Sequence, residues 1–577
     1  MLRGFYSRLK EIDWTGGQQR LIFDTILLGV IGALGAQLFA LLLRLAQNLF
    51  LNRLAGYQPP GLPLEGGILH QLIGSHGLWL IPIATTLGGL ISGVLVYSLA
   101  PEAEGHGTDT AVKAYHQFAG KLRARVPGVK MIASAITIGS GGAAGREGPT
   151  ALISAGFGSI YATFFHRSDE DRRLLVLIGM AAGLSAIFRS PIGTAIFAIE
   201  VLYSEMEFDA GALLYTMLGS VVAYAFNGLF SGWRPLFQVP PGLQITQISD
   251  YLWYIVLGLA AGLVASLLPI VFYGLRDLFV KLPIPPHFKP AIGGLGVGLV
   301  ALALPQVLGG GYGWIQQAIN GQMAVNLLLA LIFAKLLAFV LTVSSGGSGG
   351  VFAPSLFVGA MLGGFLAQTF HQSSAAFVVV GMAAVFGGAA RVPVATLLMV
   401  TEMTGGYDLL VPAALAVMLS YMVQVTLTAK LKYNSLYEAQ VPERADSPAH
   451  HVEQLQAALH LLSERGITFP LDIGSVNLRD LLASGIPINL PGNKRLVLGI
   501  LKPRSRYVNC NVQVCFPIER QDDLELIAVF RQGRTLLPYP DLILKLGDRL
   551  LFIATEEAWT AQEDNFAKLR GAPAQGK

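Results

Sequence analysis

Residues 139–150 read Gly139-Ser140-Gly141-Gly142-Ala143-Ala144-Gly145-Arg146-Glu147-Gly148-Pro149-Thr150. An arginine and a glutamate stand side by side among glycines, between segments apolar enough to lie in lipid. An ionisable residue at membrane depth is expensive, and its presence there points to function. The surroundings make the membrane reading firm. Of 577 residues, 53% are hydrophobic and only 13% charged, too apolar for a soluble protein of this length. The runs Leu21–Leu51, Leu78–Leu99, Tyr251–Leu275 and Ala324–Val343 each supply the roughly 20 apolar residues that cross about 30 Å of hydrocarbon. Sixty-seven glycines suit a bundle whose helices approach closely through small residues. Arg3, Arg8, Lys10 and Arg20 precede the first run and predict a cytoplasmic N-terminus. The net charge of +4 decides nothing further.

A second stretch answers the first. Gly179-Met180-Ala181-Ala182 recurs as Gly381-Met382-Ala383-Ala384. In each copy the glycine lies twelve residues before a proline, Pro191 or Pro393, and that proline nine before a glutamate, Glu200 or Glu402. Arg189 and Arg391 both stand two residues before the proline. Upstream of each copy is a glycine cluster closed by proline, 139–149 and 346–354, with the prolines 205 residues apart. One ancestral unit has been duplicated. Gly/Pro-interrupted segments at matching places in two halves point to a transporter site built from broken helices.

A helix that begins inside the membrane presents unpartnered N–H groups and the positive end of its dipole, which together attract an anion. Two such ends aimed at one spot would hold an anion weakly enough to release it. A carboxylate beside that spot, Glu147, can compete for the anion's place when ionised and withdraw when protonated. The alternative role for Glu147 is a structural ion pair with Arg146. Neither glycine cluster continues into the Lys-Ser/Thr of a phosphate-binding loop, which weighs against a membrane enzyme using a nucleotide.

The motifs are similar to those of the CLC family of chloride channels and chloride/proton exchangers. They appear in order: Gly105-His106-Gly107-Thr108-Asp109, then Gly145-Arg146-Glu147-Gly148-Pro149, then Gly350-Val351-Phe352-Ala353-Pro354, and Tyr437 after the last apolar run. The resemblance implies an α-helical polytopic membrane protein with two inverted halves and broken, tilted helices. It also implies a homodimer with one independent pore per subunit. Glu147 would be the gate and proton carrier. Gly105, His106, Gly107, Arg146, Gly148, Gly350, Val351, Phe352 and Ala353 would line the anion sites, with Tyr437 donating its hydroxyl to the central anion. Lys130 matches a buried basic residue of the family. Chloride, and protons if the protein is an exchanger, would be the substrates. Neither a cofactor nor a metal, a nucleic acid or a catalytic residue is expected, and the protein is not expected to be an enzyme. The resemblance places it in the inner (plasma) membrane with both termini in the cytosol.

Two positions depart from the family pattern. His106 stands where a serine usually contacts the anion; it either lines the path, adding sensitivity to pH, or packs away from it. Anion choice is the property most exposed to this change, so fluoride, nitrate and bicarbonate stand as alternatives to chloride. Val201 follows Glu200 where many exchangers carry a second glutamate for protons entering from the cytoplasm, which leans toward a channel. Glu200 itself is expected to serve structure, like its repeat mate Glu402.

Composition changes near Tyr433. The expected division is a cytosolic segment 1–20, a membrane domain 21–440 with halves of about 21–230 and 250–440, a linker 441–484, a small α/β domain 485–556 and a tail 557–577. The stretch 524–555 alternates apolar residues around Arg531-Gln532-Gly533-Arg534, a hairpin signal. It resembles the C-terminal lobe of RCK regulatory domains, which implies either a small-molecule regulatory site or a brace for the dimer. The only cysteines, Cys510 and Cys515, read as reduced structural thiols of a cytosolic domain.

Overall fold

The computed structural model describes residues 17–243, 247–444, 447, 488–490, 494–503, 505–516, 523–531, 534–536, 538 and 541–567. The basic residues Arg3, Arg8 and Lys10, and nearly all of the expected linker 441–484, lie outside them. The chain divides into two compact units, Met1–Gln440 and Val441–Lys577.

Sixteen helices form the described part of the first unit, in two matching sets. The first set is α1 (Gly17–Gln47, continued by a π-helical stretch, Asn48–Leu54), α2 (Ile81–Leu99), α3 (Thr108–Gln117), α4 (Arg125–Gly139), α5 (Glu147–Phe164), α6 (Asp169–Phe188), α7 (Pro191–Glu200) and α8 (Ala210–Ser231). The second is α9 (Asp250–Lys281), α10 (Lys289–Ala303), α11 (Tyr312–Ile319), α12 (Val325–Ser344), α13 (Phe352–Thr369), α14 (Ser374–Ala390), α15 (Pro393–Thr404) and α16 (Leu410–Thr428). Among the described residues seven helical stretches are long and apolar enough to span a membrane, including Gln19–Leu54, Asp250–Lys281 and Val325–Ser344. Helices α7, α14 and α15 are shorter apolar segments. The protein is a multi-pass membrane protein whose short helices break within the bundle.

Local chemistry explains the breaks. Helices α6 and α14 end at Arg189 and Arg391, whose φ angles of +56° and +55° reverse the chain without a glycine. Neighbouring elements hold these strained caps. Arg391 donates from Nε to Gln424 Oε1 at 3.1 Å and from Nη2 to Thr428 Oγ1 at 3.0 Å, and Arg189 Nη1 donates to the Arg234 carbonyl at 2.9 Å. Pro191 and Pro393 then open the next helices, where a missing N–H loses nothing. The new N-termini are capped across the duplication. Glu402 accepts from Ser190 Oγ at 2.5 Å, Gly193 N at 2.9 Å and Ile192 N at 3.2 Å, while Glu200 accepts from Ala395 N at 2.6 Å and Val394 N at 3.1 Å. Each half thus supplies a glutamate that caps the N-terminus of a helix in the other, consistent with the structural role expected of Glu200. Replacing Glu402 by alanine should cost about 2 kcal/mol and lower the thermal unfolding midpoint in detergent; an unchanged midpoint would show that the cap contributes nothing.

Glycine lets the equivalent helix pairs touch. A Cβ at Gly158 of α5 would fall 2.2 Å from the Leu175 carbonyl of α6, and one at Gly359 of α13 would fall 2.2 Å from the Gly381 carbonyl of α14. Backbone-to-backbone contact of this kind is what holds helices together without a solvent-driven hydrophobic effect.

Among the described residues, the second unit is built on an antiparallel sheet of six strands. They are β3 (Ile488–Leu490), β4 (Lys494–Leu501), β5 (Leu524–Arg531), β6 (Arg534–Leu536), β7 (Arg549–Thr555) and β8 (Phe566–Ala567), following a small pair, β1 (Tyr57–Gln58) and β2 (Leu72–Ile73), in the first unit. The order is β3-β4-β7-β5-β6, with β8 also paired to β4. The hairpin expected around residues 531–534 is present as the β5–β6 pair, closed by Arg531 opposite Arg534. Val497, Val529, Leu550 and Phe552 pack in its core with Tyr507 and Phe516. Strand pairing runs beyond residue 556: Phe566 pairs with Leu501 and buries its ring in the same core. Cys510 and Cys515, expected as reduced thiols, lie close together around the short helix Val512–Cys515, with Cα atoms 6.3 Å apart.

Candidate anion site at converging helix N-termini

The two glycine clusters meet. Gly145 and Gly350 form an isolated antiparallel bridge, each N–H donating to the other's carbonyl at 2.7 Å. Helix α5 begins two residues after Gly145 and α13 two residues after Gly350. Helix α3 joins them, for Gly349 N donates to the Gly105 carbonyl at 3.1 Å. A Cβ at Gly148 would lie 2.2 Å from the His106 carbonyl and 3.0 Å from Gly350 Cα. Only glycine fits this junction. Gly107 enters α3 with φ +87°, a left-handed conformation that glycine adopts without penalty. Three helix N-termini therefore converge on one buried place, which brings together Gly105, Gly107, Gly148, Gly350, Val351, Phe352 and Ala353.

Lys130 fixes the α3 loop. Its Nζ is fully buried and donates to the carbonyls of Ala103 at 3.0 Å and Gly105 at 2.7 Å. Lys335, which went unremarked inside an apolar run, does the same in the other half, donating to Val307 at 2.7 Å and Gly309 at 2.6 Å. Gly309-Gly310-Gly311-Tyr312 is accordingly the repeat mate of Gly105-His106-Gly107-Thr108, with matching positive φ at Gly309 (+56°) and Gly311 (+78°). An offset of about 204 residues, close to the 205 between the cluster prolines, was the available signal.

Glu147 is buried at the first turn of α5. Tyr312 donates its hydroxyl to Glu147 Oε1, while Oε2 turns toward the start of α13, where the Ala353 N–H meets the carboxyl. That oxygen would lie 2.1 Å from a Cβ at Gly145, a position that is also 3.0 Å from the Ala353 amide nitrogen. The carboxyl thus sits against the N-terminus of α13. Arg146 is not its ion-pair partner. Its guanidinium pairs with Glu65 at 2.5 Å and stands 5.2 Å from the Tyr312 ring centroid, so the structural pairing weighed for Glu147 is taken up by Glu65. Sequence reading missed Tyr312 and Glu65 as neighbours, because each reaches the motif from a distant loop.

His106 is buried, with its ring 5.4 Å from that of Tyr437 and 6.1 Å from that of Phe272. Its Nε2 faces Asp109 Oδ2 at 3.1 Å, and Nδ1 has no partner among the described residues. Asp109 also accepts from the amides of Glu438 and Ala439 at 3.2 and 3.1 Å, which fastens the Tyr437 segment to α3. Tyr437 is buried, and its hydroxyl hydrogen-bonds with the Thr108 side chain at the start of α3. The Phe197 ring lies 6.4 Å from Tyr437 and 6.2 Å from Phe352, continuing the aromatic wall. Val201 is fully buried where α7 ends.

Converging helix N-termini, two inverted halves and broken helices define a membrane protein of the CLC fold. Residues 88–425 match the family described as voltage gated chloride channel, and the chain belongs to that family. It is 30% identical over 380 residues to a protein named H(+)/Cl(-) exchange transporter ClcA from Salmonella agona, covering 63% of this chain and 80% of that one. A protein of the same name from Cronobacter sakazakii is 30% identical over 375 residues, covering 62% and 79%. The fold is shared with the crystal structure of a CLC-type fluoride/proton antiporter, with TM-score 0.62 and 22% identity, over 74% of this chain and all of that one. It is also shared with a slow cyanobacterial Cl-/H+ antiporter, with TM-score 0.62 and 22% identity, over 71% and 95%.

Proposed function

We propose that the protein carries chloride across the membrane in exchange for protons, with Glu147 as gate and proton carrier. The observation that carries this reading is the buried Glu147 carboxyl set against the N-terminus of α13, in reach of the Ala353 N–H, where an anion would otherwise sit. The amides of Val351 and Phe352 and the Tyr437 hydroxyl would hold the central anion, with Gly105, Gly107, Gly148, Gly350 and Ala353 shaping the path. Arg146 would add positive potential from its place before α5. Relatives named as exchangers support exchange over the channel behaviour that Val201 leans toward; protons from the cytoplasm would then need a route that does not use a carboxylate at position 201. No cofactor and no enzymatic step is needed. The N-terminal basic residues support cytosolic termini in an inner membrane, and the family resemblance supports a homodimer. The C-terminal sheet would regulate or brace it.

His106 favours a second reading of the substrate. A serine would offer one hydroxyl here, whereas His106 is anchored on Asp109, and a fluoride/proton antiporter shares the fold. Purified protein in liposomes tests both: a chloride gradient should drive protons uphill with nothing else added. Absence of any anion flux would remove the proposal, chloride flux without proton movement would make the protein a channel, and fluoride-driven but not chloride-driven proton movement would change the substrate.

Within this reading Tyr312 holds the gate in the position seen. Tyr312→Phe removes that hydrogen bond, a change of about 1 kcal/mol in gate position, and should raise anion flux roughly fivefold under conditions where the gate is mostly closed. Flux equal to that of the unmodified protein would show that Tyr312 only packs against Glu147.

A further inference from the structure

A polar cleft of about 260 Å³ lies beside the gate and is lined by Arg44, Arg146, Arg189 and Glu65, with Gln37 and Asn227 among its other walls. Three guanidiniums face one carboxylate. Glu65 is engaged by Arg146 at 2.5 Å and also faces Arg44 and Arg189, so one carboxylate balances three guanidiniums and the cleft keeps a net positive charge. Arg189 spends one donor on the Arg234 carbonyl at 2.9 Å, out of the five a guanidinium offers. Arg44 makes no hydrogen bond or ion pair with other described residues. The wall between them is fixed, since Gln37 Nε2 donates to Asn227 Oδ1 at 2.5 Å and to Ser231 Oγ at 2.9 Å.

The cleft occupies one face of the bundle. Arg44 is in the last turn of α1, Arg189 caps the C-terminus of α6, and Asn227 is near the end of α8. The opposite ends of α1 and α6 are joined by the pair Arg20–Asp171 at 3.0 Å. With a cytosolic N-terminus the cleft therefore opens outside. Its volume is far larger than a monatomic halide needs, and forked guanidinium donors match the oxygens of an oxyanion better than a sphere.

We propose that this cleft binds an oxyanion of the phosphate class between Arg44, Arg146 and Arg189, as a site additional to the one at the helix N-termini. Such chemistry has two sources. One is free phosphate or sulfate; the other is an anionic lipid headgroup, for which the exposed side chains of Leu41, Leu45 and Phe230, on the helices that line the cleft, would offer an apolar flank. Occupancy has a route to the gate. Arg146 directly precedes Glu147 and its guanidinium lies against the ring of Tyr312, which donates to Glu147.

Binding to the purified full-length protein tests the site independently of what is transported. Equilibrium dialysis against labelled sulfate, and native mass spectrometry with phosphatidylglycerol, are compared for the unmodified protein and for Arg44→Gln/Arg189→Gln. Saturable sulfate binding, weakened at least about tenfold or about 1.4 kcal/mol in the double variant, supports a free oxyanion. Retention of phosphatidylglycerol that the double variant loses, without sulfate binding, supports a headgroup. Should the double variant fail to fold, Arg44→Gln alone, at a solvent-exposed position, is expected to weaken the same ligand about threefold or more, or about 0.7 kcal/mol. The proposal is overturned if the unmodified protein binds neither ligand, or if binding is unchanged in the variants.

Discussion

Glu147→Gln is expected to leave anion flux in liposomes intact while proton movement driven by a chloride gradient falls to the leak of empty vesicles. The neutral amide keeps the shape of the side chain and can still receive the Tyr312 hydroxyl on its oxygen. It cannot carry a proton. It also loses the negative charge with which an ionised carboxylate competes for the place an anion would take at the N-terminus of α13. Flux should therefore lose its dependence on external pH, staying at all pH values near the level the unmodified protein reaches in acid. The sign follows from chemistry: protonation removes the competing charge, so acid opens the unmodified gate and alkali closes it. Proton movement that persists in this variant would mean that another group carries protons, and the assignment of Glu147 would fail. Loss of anion flux together with proton movement would instead give the carboxylate a structural role.

The duplication was legible because it left identical short words, Gly-Met-Ala-Ala and the Arg-x-Pro that follows, at fixed spacing. Those words mark places where only a few residue types work: a left-handed cap, a first-turn proline, a glycine against a backbone carbonyl. Their identity is constrained, so they persist. The glycine clusters were legible for the same reason. What the sequence did not disclose are contacts between segments distant along the chain. Tyr312 reaches Glu147 over 165 positions and Glu65 reaches Arg146 over 81, and each contact depends on where two loops happen to fold. Lys335 lay hidden for a different reason: a single lysine in a strongly apolar run does not spoil a membrane span, so composition gave no warning. The Glu200–Glu402 exchange shows the intermediate case, in which spacing pointed to equivalence while the crossing of each cap to the opposite half came only with the fold.

Lys335 now carries the second large effect. Lys335→Met keeps the length and apolar stem of the side chain but removes the only amine that the described residues place between the Val307 and Gly309 carbonyls. The buried Val307 carbonyl would lose its donor at a cost of about 1–3 kcal/mol and the half-buried Gly309 carbonyl at less, so a total of roughly 2–4 kcal/mol is expected. That is a large fraction of the stability of many folded domains. The loop in question holds Gly309 and Gly311 in left-handed conformations and delivers Tyr312 to Glu147, so its release should disturb the gate before the bundle unfolds. The expected result is a strongly lowered unfolding midpoint in detergent, with poorly gated flux in whatever folded protein remains. Lys130→Met, its repeat mate, should lower the midpoint by a similar amount, but through the loop that positions His106 and Thr108. It should therefore alter anion preference rather than the grip on Glu147. Equal stability losses with distinct functional losses are what a duplicated frame carrying two different loops requires; a Lys335→Met protein as stable as the original would mean that water or a rearranged backbone satisfies the carbonyls, and that the lysine pair is not what holds the site.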